Sequence, residues 1–267
     1  MTMEKKPRYS VVIPLYNKQE TIEKTVRSVL AQDEPDFEII VVDDGSTDSS
    51  YNAVRSMDDA RIHLLSQENG GVSVARNSGI RNAVGDIICF LDADDLWKPN
   101  FLSEIGRLFH MFPEADLACT SYQVCYANDK IVHPQWRSVD LDRPSVVRDF
   151  YEMATAPFWV MNSSCLAVKR QALEKMDEWY PVGESVYEDF EFYVRMGSRF
   201  TVAHSDKVCV SYQRITVQNA RTQHRHRVVY SKRYMETLNR LFAEEKDSQR
   251  KKWIRQMIDR RMVPYVY

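Results

Sequence analysis

The sequence predicts an α/β protein built on a doubly wound, mainly parallel sheet that is flanked by helices. Short apolar runs, such as YSVVI (9–13) and FEIIVV (37–42), alternate with segments of helical periodicity. Strands that are apolar throughout are typical of parallel sheets covered on both faces. Three of the apolar runs are followed directly by the polar sequences PLYN, DDGS and DADD. Because ligands of such sheets bind beyond the carboxyl ends of the strands, we expect these loops to meet at one edge.

The elements of the first half can be placed in chain order. RIHLL (61–65) and DIICFL (86–91) predict a third and a fourth strand. The first helix is predicted from apolar residues that share one helical face: Ile22, Val26, Val29 and Leu30. Asn17 followed by Glu20 predicts a capping box at its start. Two further helices are predicted after the third and fourth strands, within VSVARNSGIRNAVG and KPNFLSEIGRLFHMF.

The second half is less regular. Strands are predicted at residues 117–127, 163–169 and 207–213, and a helix is predicted over VYEDFEFYVRMGSRF. From about residue 224 to about residue 260 the pattern is helical and rich in Arg and Lys. We therefore expect one domain over residues 1–213 and a basic helical segment over residues 214–267.

Composition narrows the class of protein. The 267 residues are 44% hydrophobic, which is enough for a full core. No window approaches the roughly 18 uninterrupted apolar residues that a membrane helix needs. The first apolar run is cut by Pro14, so no signal peptide is expected. Five cysteines, an odd number without a CxxC pair, indicate reduced, buried thiols and a cytoplasmic protein.

The formal net charge of −2 conceals an asymmetry. Residues 214–267 contain 14 Lys and Arg against 5 Asp and Glu, whereas residues 1–213 carry a balance of −11. The C-terminal segment also has apolar residues at helical spacing, which fits either packing on the domain or peripheral contact with the anionic inner face of a membrane. The chain has no recognised nucleic-acid-binding module, so we expect no nucleic-acid partner.

The sequence DADD places three carboxylates within four residues at the end of the fourth strand. Like charges this close repel, and unpaired buried carboxylates are costly. Mn²⁺ or Mg²⁺ would relieve the repulsion, because hard cations combine one or two protein carboxylates with phosphate oxygens and water. We expect Asp92 and Asp94 to face such a ligand and Asp95 to cap the following helix.

The first loop excludes two common modes of nucleotide binding. PLYNKQET contains no glycine, and neither GxGxxG nor GxxxxGK[ST] occurs in the chain. A nucleotide at this edge would need an aromatic residue for its base and a metal ion for its diphosphate. Tyr16 is the candidate aromatic residue, with packing on its neighbours as the alternative. One carboxylate of DDGS can accept a hydrogen bond from the imide N–H of uracil or thymine, although the same sequence also forms a turn.

Four segments occur in consistent order over roughly residues 8–200: YSVVIPLYNKQETIEKTVRSVLAQ, FEIIVVDDGSTDSS, GGVSVARNSGIRNAVGDIICFLDADD and YEDFEFYVR. Together they resemble the family 2 glycosyltransferases of the GT-A fold. The resemblance implies an inverting, metal-dependent transfer of a sugar from a nucleotide-diphospho-sugar to a glycan or lipid-linked acceptor, in polysaccharide or glycolipid assembly. It also implies a nucleotide-binding part at about residues 8–115 and an acceptor part at about residues 116–213.

The resemblance implies roles for residues around the nucleotide. Pro14 and Tyr16 would border the base, and Asp44 would meet its uracil-type edge, which favours a UDP- or dTDP-sugar over a GDP-sugar. Arg76 of VARNSG would lie near the base and the phosphates.

The resemblance also implies which residues contact the metal and the acceptor. Asp92 would lie by the ribose and the metal, and Asp94 would ligate the metal. An acidic residue of YEDFEF would take the proton from the acceptor hydroxyl; by register this is Asp189, with Glu188 beside it. Single displacement needs a base opposite the leaving diphosphate, and a helix N-terminus favours a charged carboxylate there. An ordinary acidic first turn of a helix is the alternative.

Two other functions remain open. A nucleotidyltransferase on a similar sheet usually has a Gly- and Lys/Arg-rich first loop, which PLYNKQET lacks. A non-catalytic module that binds sugar nucleotides would not need Asp92, Asp94 and Asp189. Two roles outside the motifs also stay open. The HxH of His224 and His226 has metal-ligand spacing but fits a basic loop as well, and Trp159 fits either sugar stacking or the core.

Overall fold

The computed structural model describes residues 6–156, 159–184, 186–214 and 231–262. The strands in these ranges are β1 (Tyr9–Leu15), β2 (Phe37–Asp43), β3 (Ile62–Ser66), β4 (Ile87–Phe90), β5 (Leu96–Trp97), β6 (Leu117–Tyr126), β7 (Ile131–Val132), β8 (Ser145–Val146), β9 (Leu166–Lys169) and β10 (Val202–Arg214). The helices are α1 (Ile22–Leu30), α2 (Ser50–Arg55), α3 (Val72–Asn82), α4 (Phe101–Met111), α5 (Phe150–Ala154), α6 (Arg170–Glu174), α7 (Glu188–Gly197), α8 (Lys232–Glu244) and α9 (Ser248–Met262). A single 3₁₀ turn within these ranges covers Ser163–Cys165.

The strands form one mixed sheet in the order β3-β2-β1-β4-β9-β6-β10-β5, with β7 paired to β6 and β8 paired to β10. Strands β1, β2, β3 and β4 are mutually parallel, and β10 is parallel to β6. Since β9 runs antiparallel to both β4 and β6, β6 and β10 point the same way as β4. The carboxyl ends of β1, β2, β4, β6 and β10 therefore lie at one edge, as a doubly wound sheet requires.

The packing of α3 on β1 shows why the sheet positions its loops closely. Every residue of β1 and of β2 is buried. Gly79 of α3 lies directly over Val12, and a Cβ atom at Gly79 would be 2.3 Å from Val12 Cγ1. This close approach brings Arg76, one turn earlier on α3, over the end of the sheet, where it is 3% exposed.

The predicted capping box is wrong. Helix α1 begins at Ile22 and is preceded by Thr21, whose side chain makes no capping hydrogen bond. Asn17 instead has φ 51°, a left-handed conformation that Asn tolerates. Its side chain accepts a hydrogen bond from Thr47 N at 2.8 Å. Asn17 therefore joins two loops rather than starting a helix.

The described part of segment 214–267 packs on the rest of the chain. Each of its two helices buries an apolar face, contributed by Tyr234, Met235, Leu238, Ile254, Met257 and Ile258. Arg250 Nε also donates a hydrogen bond to Asp149 Oδ2 at 2.6 Å, just before α5. None of the helices in the described ranges is long and apolar enough to cross a membrane. Peripheral contact of the basic face with a membrane stays a prediction.

Candidate active site

The loops after β1, β2 and β4 meet at the carboxyl edge of the sheet, as their positions in the sequence predict. Asn17 N donates a hydrogen bond to Ser46 Oγ at 3.1 Å, which joins the first loop to the second. Lys18 Nζ donates to Asp94 Oδ2 at 2.5 Å, which joins the first loop to the loop after β4. A ligand at this edge would therefore contact all three loops.

The predicted base-binding residues lie at the β1–β2 side of this edge. Pro14 is buried within β1, whereas the Tyr16 ring is 47% exposed. Asp44 is 3% exposed and accepts hydrogen bonds from Gln67 Nε2 at 2.7 Å and from the backbone N–H groups of residues 70 and 71 at 3.0 and 2.8 Å. These bonds fix the loop before α3 against the turn. The contact of Asp44 with a uracil-type edge stays a prediction.

The two carboxylates that were predicted to bind a metal are each balanced by one basic side chain. Asp92 Oδ1 accepts a hydrogen bond from Arg76 Nη2 at 2.8 Å, and Asp94 Oδ2 accepts from Lys18. The side chains of Asp92 and Asp94 are 30% and 16% exposed, respectively, so both remain open to solvent. These basic side chains offset the repulsion between Asp92 and Asp94 that their spacing in the sequence predicts.

This pair of carboxylates fits a hard divalent cation that is shared with a diphosphate. The side chains offer oxygen ligands, which Mg²⁺ and Mn²⁺ prefer. In the part of the chain that the structure describes, no three His, Cys, Asp or Glu side chains are grouped closely enough to hold a metal ion. With Asp92 and Asp94 as its protein ligands, the cation would need phosphate and water oxygens to complete its shell.

Asp95 does not cap the following helix, which corrects the prediction made for it. Its carboxylate accepts a hydrogen bond from Ser164 Oγ at 2.5 Å and from Gln213 N at 2.8 Å, and it is fully buried. Burial, together with the nearby charges of Asp92 and Asp94, raises the pKa of Asp95 well above its ordinary value. The side chain of Asp95 therefore joins the carboxylate loop, the 3₁₀ turn and the end of β10.

The acidic pair lies at the start of α7. Glu188 Oε1 is 3.4 Å from Arg76 Nη1, so this buried guanidinium lies between Glu188 and Asp92. Asp189 Oδ1 accepts a hydrogen bond from Phe190 N at 2.8 Å. The preceding residue, Tyr187, has φ 61°, and a left-handed conformation is rare for a bulky residue.

The surroundings of Glu188 favour its protonated form. The side chain of Glu188 is 13% exposed. Burial, and next the charge of Asp189, raise the pKa of Glu188 to about 7, while Arg76 opposes that rise. A carboxyl group with a pKa near neutrality exchanges a proton readily under physiological conditions.

Helix α8 packs against α7, the helix that carries the acidic pair. Thr237 Oγ1 donates a hydrogen bond to Glu191 Oε1 at 2.9 Å, and Glu191 also binds Arg195 within α7. The rings of Tyr187 and Tyr234 lie nearly parallel, with their centroids 6.1 Å apart. The C-terminal segment thus contacts the residue immediately before Glu188.

Trp159 belongs to the core, because it is 6% exposed and packs against Phe150 and Phe190. His224 and His226 lie outside the described residues. Sequence reasoning did not identify Lys18 as a partner of the carboxylates. The sequence could have indicated this role, because Lys18 is the only basic residue of PLYNKQET.

The fold and the site define a class of protein, and comparison with known sequences gives the same class. The model of the family described as glycosyl transferase family 2 matches residues 10–176. The match covers more than half of the chain, and the chain therefore belongs to glycosyl transferase family 2. The putative teichuronic acid biosynthesis glycosyltransferase TuaG of Bacillus subtilis (strain 168) is 44% identical over 135 residues, which cover 48% of this chain and 53% of TuaG. The chain spans about half the length of the curated relatives that it matches.

Solved structures share the GT-A fold. TarS 1-349 of S. aureus in complex with UDP-GlcNAc superposes with a TM-score of 0.74 and 18% identity, over 95% of this chain and 72% of TarS 1-349. The mannosyltransferase PcManGT of Pyrobaculum calidifontis, in complex with GDP-Man and Mn²⁺, superposes with a TM-score of 0.64 and 22% identity, over 96% of this chain and 70% of that one. At these identities the likeness shows the fold alone.

Proposed function

We propose that this protein is a metal-dependent, inverting glycosyltransferase that moves a sugar from a nucleotide-diphospho-sugar to an acceptor hydroxyl. One observation carries the proposal: the buried Arg76 guanidinium bridges Asp92, on the predicted diphosphate side, and Glu188, beside the predicted base. This arrangement supports single displacement, which requires a base and a leaving-group site on opposite sides of the anomeric carbon.

Asp189 is the proposed general base. It lies in the first turn of α7, where the helix dipole favours its charged form. Glu188 takes up a proton near neutral pH because burial and the charge of Asp189 raise its pKa, and its neutral form reduces the repulsion on the charge of Asp189. Asp189 would accept the proton of the acceptor hydroxyl as that oxygen attacks, and Arg76 would hold Glu188 and Asp92 in place.

The leaving diphosphate would be held at the opposite side of the cleft. A divalent cation bound there would stabilise the negative charge that develops on the leaving group. Asp92 and Asp94 are the proposed ligands, and Lys18 lies close enough to Asp94 to contact a phosphate. The Mn²⁺ in the complex of PcManGT supports this choice of cation.

The donor that we favour is a UDP- or dTDP-sugar. The exposed ring of Tyr16 and the carboxylate of Asp44 at the base side support it, as does the UDP-GlcNAc bound to TarS. The name of TuaG supports a role in polysaccharide assembly, with a glycan or lipid-linked acceptor. We place the reaction in the cytoplasm, where nucleotide sugars are available, with the basic face of the C-terminal helices toward the inner side of a membrane.

A binding screen followed by one variant tests the proposal. The melting temperature should rise with UDP or dTDP only when Mn²⁺ is present, and less with GDP. Asp189→Asn should abolish sugar transfer, measured with radiolabelled UDP-sugars, while UDP and Mn²⁺ still bind. Asp86→Asn is the matched control, because Asp86 is exposed at the opposite, amino end of β4. If no nucleoside diphosphate gives a metal-dependent shift, the proposed function fails.

A further inference from the structure

Three side chains at the carboxyl ends of β6 and β10 form a cluster that the proposed mechanism does not use. Arg214 pairs in register with Tyr126 across the two parallel strands, and Tyr212 is two residues before Arg214 on β10. The Arg214 guanidinium carbon is 5.8 Å from the ring centroid of Tyr126 and 5.7 Å from that of Tyr212. All three side chains are partly exposed. We call them the Tyr–Arg–Tyr cluster.

Arg214 has no acidic partner within the part of the chain that the structure describes. No carboxylate lies within ion-pair distance of it among residues 6–156, 159–184, 186–214 and 231–262, whereas most of the other partly buried arginines contact one. The neighbouring sequence offers no acidic partner either, because residues 207–235 contain seven Lys and Arg and no Asp or Glu. A partly buried cation of this kind favours an external anion.

The cluster lies at the same edge as the candidate active site. Gln213, next to Arg214, donates its backbone N–H to Asp95 Oδ1 at 2.8 Å, and Asp95 follows Asp94 in the carboxylate loop. Strands β1 and β10 are four positions apart in the sheet. At a strand spacing of about 4.8 Å this distance is roughly 19 Å, so the cluster is remote from Tyr16 and the predicted base site.

Aromatic contacts connect the cluster to the proposed base. Tyr212 packs edge-on against Tyr122, whose hydroxyl donates a hydrogen bond to Trp159 O at 3.1 Å. The Trp159 ring contacts that of Phe190, with centroids 4.6 Å apart, and Phe190 follows Asp189. Buried aromatic side chains therefore connect the cluster to the residue that follows Asp189.

We propose that the Tyr–Arg–Tyr cluster binds a phosphate group of the acceptor, so that the acceptor is a phosphate-bearing glycan. The planar guanidinium donates paired hydrogen bonds to phosphate oxygens, and the two tyrosine rings flank the attached sugar. This inference rests on the proposed function, because it names the substrate class of the same site. The positive charge of Arg214 favours an anionic group. Arg214 is too far from Tyr16 to contact a nucleotide base bound there.

Binding of a soluble probe tests the inference. The full chain is first saturated with UDP and Mn²⁺, and the affinity for N-acetylglucosamine 1-phosphate is compared with that for N-acetylglucosamine by calorimetry. We expect the phosphorylated sugar to bind at least about tenfold more tightly, since a charge-assisted pair contributes at least this much. Arg214→Gln should remove that preference and leave the affinity for UDP with Mn²⁺ within about twofold.

Two further variants make the test specific. Arg214→Lys keeps the charge without the paired donors and should retain part of the preference. Arg199→Gln is the matched control, because Arg199 also lies over an aromatic ring, that of Phe200, just after α7. An equal loss of UDP affinity in Arg214→Gln would assign Arg214 to the donor diphosphate and overturn the inference.

The inference also fails if the two sugars bind equally, or if neither binds while UDP and Mn²⁺ do. If UDP and Mn²⁺ fail to bind at all, the proposed function fails instead, so the two failures are distinguishable.

Discussion

The raised pKa of Glu188 makes the stability of this protein depend on pH in a way that one substitution removes. The folded-state pKa is about 7, against an ordinary value of 4.5. Between these two values the folded protein binds the proton more tightly than the unfolded chain does. The contribution of Glu188 to stability is therefore greatest below pH 4.5 and falls as the pH rises to 7. A pKa shift of this size changes the free energy of unfolding by about 3 kcal/mol.

Glu188→Gln should abolish this dependence, because the amide is neutral at every pH and resembles the protonated acid in shape. Relative to the wild type, the variant should gain about 2.5 kcal/mol in the free energy of unfolding between pH 5 and pH 8. Guanidinium denaturation of both proteins at a series of pH values measures the difference. Glu23→Gln, at an exposed position of α1, is the control and should show a constant difference. A constant difference for Glu188→Gln would refute the reasoning.

Three further predictions follow from local geometry. Gly197→Ala should destabilise the fold by about 1–3 kcal/mol, seen as a lower melting temperature, because its Cβ would lie 2.1 Å from Phe150 Cδ2. Lys18→Ala should raise the affinity for Mn²⁺ in the absence of nucleotide several-fold, since it removes the cation that pairs with Asp94; an unchanged affinity in calorimetry would contradict this. Asp95→Leu should lower the free energy of unfolding by about 1–3 kcal/mol more than Asp95→Asn does in denaturation experiments, because Asn keeps polar atoms at both buried hydrogen bonds and Leu removes them.

The alternation of apolar strands and helices correctly predicted the half of the sheet that contains β1, β2, β3 and β4. This half consists of consecutive parallel strands, and each has its own apolar run and polar loop. In the second half the sequence could not give the direction of β9, because a buried strand of four residues reads the same in either direction. The strand predicted at residues 163–169 was too long, because its first three residues form the 3₁₀ turn Ser163–Cys165.

The sequence placed the carboxylates at one edge but not their partners. Lys18 and Asp94 are 76 residues apart, and Asp95 and Gln213 are 118 apart. Such pairs arise from the crossing of strands and loops, which local patterns do not encode. The raised pKa of Glu188 has a similar origin, because it depends on burial and on the positions of Asp189 and Arg76. Periodicity predicts which residues are inside, whereas the pKa of each acid depends on tertiary neighbours.

The contact between α7 and α8 has a consequence for how this chain can be divided. A fragment ending at β10 would keep the loops after β1, β2 and β4, yet it would lose Tyr234 and Thr237 from behind the acidic pair. Such a fragment should retain nucleotide affinity while its turnover collapses. Exchanging the C-terminal helices between relatives should therefore alter reaction rate before it alters donor preference.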